Sequence, residues 1–193
     1  MSITEAQANA IVAQIADMCG MTLKSKADDQ TMKTLATVLS GTLPPAEFLQ
    51  WFATTLPDGF GGVTTFLPTR WFEIAPLERV ALIAHEARHA ADIYDQGAAA
   101  FAARYLLDST DRASFEARAM AVQAVVEEKL GASPSAAGYG ARIPKSYGCP
   151  PIDAAVATAV IQSLMDSAAR GVIADPVARV ACASVWAAVG GAA

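Results

Sequence analysis

Only two histidines occur in the 193 residues, His85 and His89, and they stand four apart with Glu86 directly after the first. On a helix, residues four apart lie one turn above each other on the same face, so both imidazoles reach a single ion. Glu86 is offset by about 100° and meets a water on that ion rather than the ion itself. Zinc accepts neutral imidazole nitrogen at roughly 2.0–2.1 Å and lowers the pKa of its bound water to about 7. A carboxylate beside that water takes its proton during attack on a carbonyl and passes it to the leaving amine. The segment His85-Glu86-Ala87-Arg88-His89 therefore reads as a Zn2+ site for hydrolysis, with His85 and His89 as ligands and Glu86 as general base. The bland competitor is a pair of histidines on a solvated helix face.

Two histidines and a water leave a catalytic zinc site one protein ligand short. Asp95 takes the last place of an HExxHxxGxxH-like pattern, but Asp92 stands where that pattern needs Gly to break the helix. The rival is Glu116, 27 residues after His89 within DRASFEARA, a separation that lets a following helix pack back on the first. The spacing leaves both open. Candidate donors for the oxyanion are Tyr105, Tyr139, Tyr147 and Arg112, and no third His exists. Asp92 shares the face of the two histidines and suits either an imidazole acceptor or an Arg partner.

The elements that hold these residues follow from periodicity. Ile11, Ile15 and Met18 space a helix over residues 3–18, with Thr4 at its N-cap and Gly20 beyond its end. A second helix is expected over 28–40, stopped by Gly41, and a third from Pro44-Pro45 to about Thr55 with Phe48, Trp51 and Phe52 in the core. Pro57 to Gly62 is turn chemistry, and Val63–Leu67 and Trp71–Ile74 read as extended segments. Pro76 opens a helix that runs to about Gln96, with Val80, Ile83, Ala87, Ala90 and Tyr94 on one side and Glu78, His85, His89 and Asp92 on the other. Helices over 98–107 and 111–130 follow, then a Gly/Pro/Ser/Tyr-rich loop over 132–151 in which Tyr139 and Tyr147 could serve a lid. Two Ala/Val-rich helices, 152–170 and 175–189, close the chain. The expected class is α+β, predominantly α-helical, with a short β element before the longest helix. The expected organisation is one domain over 1–193: a helical part to residue 55, a catalytic core over 62–130 and C-terminal helices over 152–190.

Composition narrows the function classes. At 53% apolar residues and 17% charged, the chain has ample material for a packed core. A net charge of −5 offers no clustered positive surface, so nucleic acid is not an expected partner. Cys19, Cys149 and Cys182 are far apart and odd in number, which argues against a cysteine zinc site and against a disulfide framework. Gly59, Gly61 and Gly62 lack the Lys-Ser/Thr pair of a phosphate loop. No stretch reads as a membrane span or a signal peptide. The expectation is a cytoplasmic protein as synthesised, with signal-independent export or virion association left open.

The segments PLERVALIAHEARHA and FAARYLLDSTDRASFEARA, preceded by an extended stretch, resemble the zincin superfamily of metallopeptidases. More narrowly they are similar to gluzincin-type proteins, many of them small bacterial or phage proteins, over residues 62–126. The resemblance implies zinc held by His85, His89 and Glu116, with Glu86 as general base. It implies a peptide or protein substrate laid as an added strand along Val63–Leu67. Tyr147 and Tyr139 are the catalytic donors to be tested. A second expectation is a zincin-like protein that keeps the metal for structure or interaction and does not hydrolyse.

Overall fold

A computed structural model describes residues 2–27, 29–38, 40 and 44–190. The chain is α+β and predominantly helical. Its helices are α1 (Glu5–Met18), α2 (Gln30–Val38), α3 (Pro45–Trp51), α4 (Pro76–Gln96), α5 (Ala98–Leu107), α6 (Ser109–Lys129), α7 (Ala136–Gly140), α8 (Arg142–Tyr147), α9 (Pro151–Ala169) and α10 (Pro176–Val189). Three strands, β1 (Met21–Ser25), β2 (Thr54–Pro57) and β3 (Val63–Leu67), form one small sheet. No described helix is long and apolar enough to cross a membrane.

Local chemistry explains most helix ends. Thr4 and Gln7 close a capping box on α1, so two otherwise unpaired backbone N–H groups are satisfied. Asp108 caps α6 and Asp175 caps α10, each accepting from two backbone N–H groups. Pro76 sits in the first turn of α4, where its missing N–H is not needed, and Gly97 ends the helix with φ 82°.

Several expectations are corrected. The third helix stops at Trp51, and Thr54–Pro57 is a strand instead: β-branched Thr54 and Thr55 favour extended backbone and pair antiparallel with β3. Trp51 itself is 42% exposed beneath Arg70, whereas Phe48 is buried. Trp71–Glu73 is a 3₁₀ turn that lies outside the sheet. The stretch 132–151 contains α7 and α8, started by the Ser135 cap and by Pro144 within the first turn of α8. Gly140 is required there, because a Cβ would stand 1.8 Å from Thr158 Oγ1 of α9. Asp28 and Gly41, proposed as bounds of the second helix, lie outside the described residues.

The sheet order is β1-β3-β2, with β1 parallel and β2 antiparallel to β3. Val63–Leu67 is therefore the central strand with both edges occupied. The expectation that a peptide pairs along it is corrected; among the described residues β2 is an edge strand, and it reaches α4 through Thr55 and Glu86. The main core is built where α1, α6 and α10 cover α4, around Ile11, Ile15, Val80, Ile83 and Val126. A second cluster joins α6 to α7, α8 and α9, and a third lies between α2, α3 and the sheet. α4 is consequently enclosed on both sides, and its polar face points into protein.

Candidate metal centre

One turn of α4 places His85 and His89 with their rings edge to face and their Nε2 atoms 3.2 Å apart. α6 packs against that face and brings Glu116 to both: 3.5 Å from His85 Nε2 to Oε2, and 3.3 Å from His89 Nε2 to Oε1. These are the three residues whose ligand atoms all lie within 4.8 Å of one another. All three are buried, Glu116 to 1% exposure. Two ligands about 2.0–2.1 Å from an ion at the tetrahedral angle stand roughly 3.4 Å apart, so the observed separations suit a small tetrahedral ion. Glu116 Oε2 is also sealed from solvent without a hydrogen-bond donor, which fits an oxygen awaiting a cation. Neither imidazole Nδ1 has a partner, so no acidic or carbonyl group fixes the tautomer among the described residues.

The electrostatics follow from this packing. Burial alone would push the Glu116 carboxyl up, but the two imidazoles outweigh it and hold it far below the usual range. Burial pushes His89 down, and the charge and hydrogen bonding of Glu116 overcome it, leaving His89 raised. The Tyr105 hydroxyl on α5 donates to Glu116 Oε1, and burial together with that carboxylate raises the phenol well above its normal value. Tyr147 is raised for the same two causes, burial first and Glu116 second. Both phenols thus keep their protons at neutral pH. Arg112 ties the two segments together, its guanidinium donating to the Tyr105 carbonyl at 2.8 Å and the Tyr147 carbonyl at 2.9 Å.

Glu86, on the same helix, meets β2. Its Oε2 accepts from Thr55 Oγ1 at 2.6 Å, and Thr55 Oγ1 is 2.7 Å from Thr65 Oγ1 on β3. Next to Thr55, Thr54 accepts from the Lys26 ammonium at 2.8 Å, which also donates to the Phe48 carbonyl and lies 3.5 Å over the Phe48 ring. Lys26 is fully buried, and burial lowers its pKa to about 7 against an opposing pull from Glu86.

Other residues singled out in the sequence fall elsewhere. Asp95 is 73% exposed at its side chain and pairs with Arg88 at 3.5 Å, away from the cluster. Asp92 is not an imidazole acceptor: it binds Arg88 at 2.7 Å and Arg118 at 3.1 Å. Tyr139 donates to Glu127 at 2.7 Å, eleven residues beyond Glu116 on α6 and so about three helical turns away. Sequence reasoning missed Thr55, Thr65 and Lys26. Paired Thr-Thr dipeptides at 54–55 and 64–65 were a signal of facing strands, whereas nothing in the sequence marked Lys26 as buried. Compared with known protein families, curated proteins and solved structures, the chain finds no match.

Proposed function

We propose that this protein is a zinc-dependent hydrolase of amide bonds, of the zincin metallopeptidase type, with His85, His89 and Glu116 as ligands. The observation that carries the reading is the convergence of three buried ligand atoms within 4.8 Å, with Glu86 beside them on the same helix. Two nitrogens and a carboxylate oxygen are the donor set of catalytic zinc sites, which keep a further position for water or substrate. Zinc bound there would polarise a substrate carbonyl and acidify a bound water. Glu86 would be the group to accept a proton from that water and to return it to the leaving nitrogen. Tyr147, whose phenol is raised by burial and by Glu116, would be the donor to the developing oxyanion, while Tyr105 donates to Glu116 and holds it in place. Tyr139, engaged with Glu127, takes no part. An extended peptide pairs with the free edge of β2, the strand that touches Glu86 through Thr55.

Burial of all three ligands also favours a second reading, a metal kept for structure without hydrolysis. Two measurements separate the readings. Elemental analysis of protein purified with zinc should give about one ion per chain. The ion should be lost in Glu116→Ala and kept in Asp95→Ala. A randomised peptide library should then be cleaved by wild type, whereas Glu86→Gln keeps its zinc and loses cleavage. No zinc in wild type ends both readings. Full loading with equal, metal-independent behaviour of wild type and Glu86→Gln favours the structural role.

A further inference from the structure

We propose that Thr55, held by Thr65, is the positioning residue of Glu86: it engages one carboxylate oxygen and so fixes the orientation of the other. The inference rests on the hydrolase reading above.

The direction of the hydrogen bonds can be worked out. Thr55 Oγ1 donates to Glu86 Oε2 at 2.6 Å, and this contact consumes its single hydroxyl hydrogen. The 2.7 Å contact between Thr55 and Thr65 must then run the other way, with Thr65 donating. Thr65 is left with no hydrogen for Met21 Sδ, 3.4 Å away, which is a packing contact only. The relay is therefore Thr65 to Thr55 to Glu86, and it has one polarity.

All members are buried: Thr65 is fully buried, Glu86 5% exposed and Thr55 8%. A hydrogen bond to a charged acceptor in such surroundings is among the stronger ones. It engages Oε2 alone, and Oε1 accepts no hydrogen bond among the described residues. The backbone beneath Thr55 is fixed as well. Its cross-strand neighbour is Thr65 in the β2–β3 register, and Thr54 beside it is pinned by the buried Lys26. The strand thus acts on the chemistry through one hydroxyl.

The test compares Thr55→Val, which keeps the β-branched shape without the hydroxyl, with Thr55→Ser, which restores the hydroxyl. In metal-free protein, the carboxylate stretch of Glu86 is isolated by infrared difference against Glu86→Gln in each background. The band should move in Thr55→Val and return in Thr55→Ser. In zinc-loaded protein, kcat on a library-derived peptide should fall about 10- to 100-fold in Thr55→Val with KM and zinc content unchanged, and recover in Thr55→Ser. An unmoved band, or equal kcat losses in both variants, overturns the proposal. Absence of turnover in zinc-loaded wild type overturns the hydrolase reading and the positioning role together. A band that still moves in Thr55→Val marks that failure as one of chemistry and not of the hydrogen bond.

Discussion

The buried ammonium of Lys26 gives the fold a pH dependence whose sign and size can be worked out. Its pKa falls from 10.5 to about 7 because burial disfavours the charge, and Glu86 offsets only part of that. Between those values the unfolded chain holds a proton that the folded chain has released, so stability must rise with pH. Below about 7 both states are protonated and the penalty is present in full. At about 1.4 kcal/mol per pH unit, the whole span from 10.5 to about 7 is on the order of 5 kcal/mol. Over a practical range, pH 6.5 to 9, about 2–3 kcal/mol of that is recovered. The neutral amine keeps two N–H groups, enough for the Phe48 carbonyl and Thr54 Oγ1, so deprotonation leaves neither acceptor unpaired.

Lys26→Met removes the titrating group and keeps an unbranched stem of similar length. Urea unfolding of both proteins should be followed at pH 6.5, 7.5, 8.5 and 9, and the difference in stability plotted against pH. Taking the difference cancels the cysteines and tyrosines, whose raised pKa values act in the opposite sense above pH 8.5. Wild type should gain steadily on Lys26→Met. A difference that stays flat would refute the buried-ammonium reasoning and imply that Lys26 reaches water.

Other outcomes follow from the same contacts. Zinc at about 100 times its Kd should stabilise wild type by about 2.7 kcal/mol, a Tm rise of roughly 5–10 °C for a chain of this size. A chelator should reverse that rise and Glu116→Gln should abolish it, as read by differential scanning fluorimetry. Asp92→Ala removes the shortest carboxylate contact of the buried Arg88, at 2.7 Å, and leaves the longer ones to Asp175 at 3.4 Å and Asp95 at 3.5 Å; it should cost about 1–3 kcal/mol in chemical denaturation. Its zinc content should not change, because Asp92 touches neither imidazole.

What could be read from the sequence was what a single helix encodes. The four-residue spacing of His85 and His89 needs no tertiary information, and α4, α6, α9 and α10 appear within a residue or two of their periodic patterns. Glu116 needed only the further premise that α6 folds back onto α4. The sheet was a different matter. β1 and β3 pair in parallel across more than thirty intervening residues, and neither is longer than five. Such pairing leaves little local trace, and Thr54-Thr55 at the end of an apolar run read as helix until β3 offered hydrogen-bond partners. The polar face of α4 carries His85, His89 and Asp92, all buried. It is enclosed because α6 and β2 bring Glu116, Arg118 and Thr55 to meet it.

The register of β2 on β3 is the step that joins turn chemistry to the site. Strand side chains alternate between faces, so a slip of one residue would turn Thr55 away from Glu86. The register is set by the five-residue turn 58–62. Asp58 Oδ1 accepts from the backbone N–H of Phe60 at 2.8 Å and of Gly62 at 2.9 Å, and its own N–H donates to the Gly62 carbonyl. Gly59 and Gly61 supply the positive φ angles that the path requires. Asp58→Ala should therefore cost about 1–2 kcal/mol for the lost carboxylate hydrogen bonds. It should also speed amide exchange in β2 and β3 while leaving α4 protected, as followed by NMR. Unchanged exchange in Thr54–Pro57 would show that the pinning of Thr54 by Lys26 holds the strand without the turn. The orientation of Glu86 would then trace to a buried ammonium instead of to the loop.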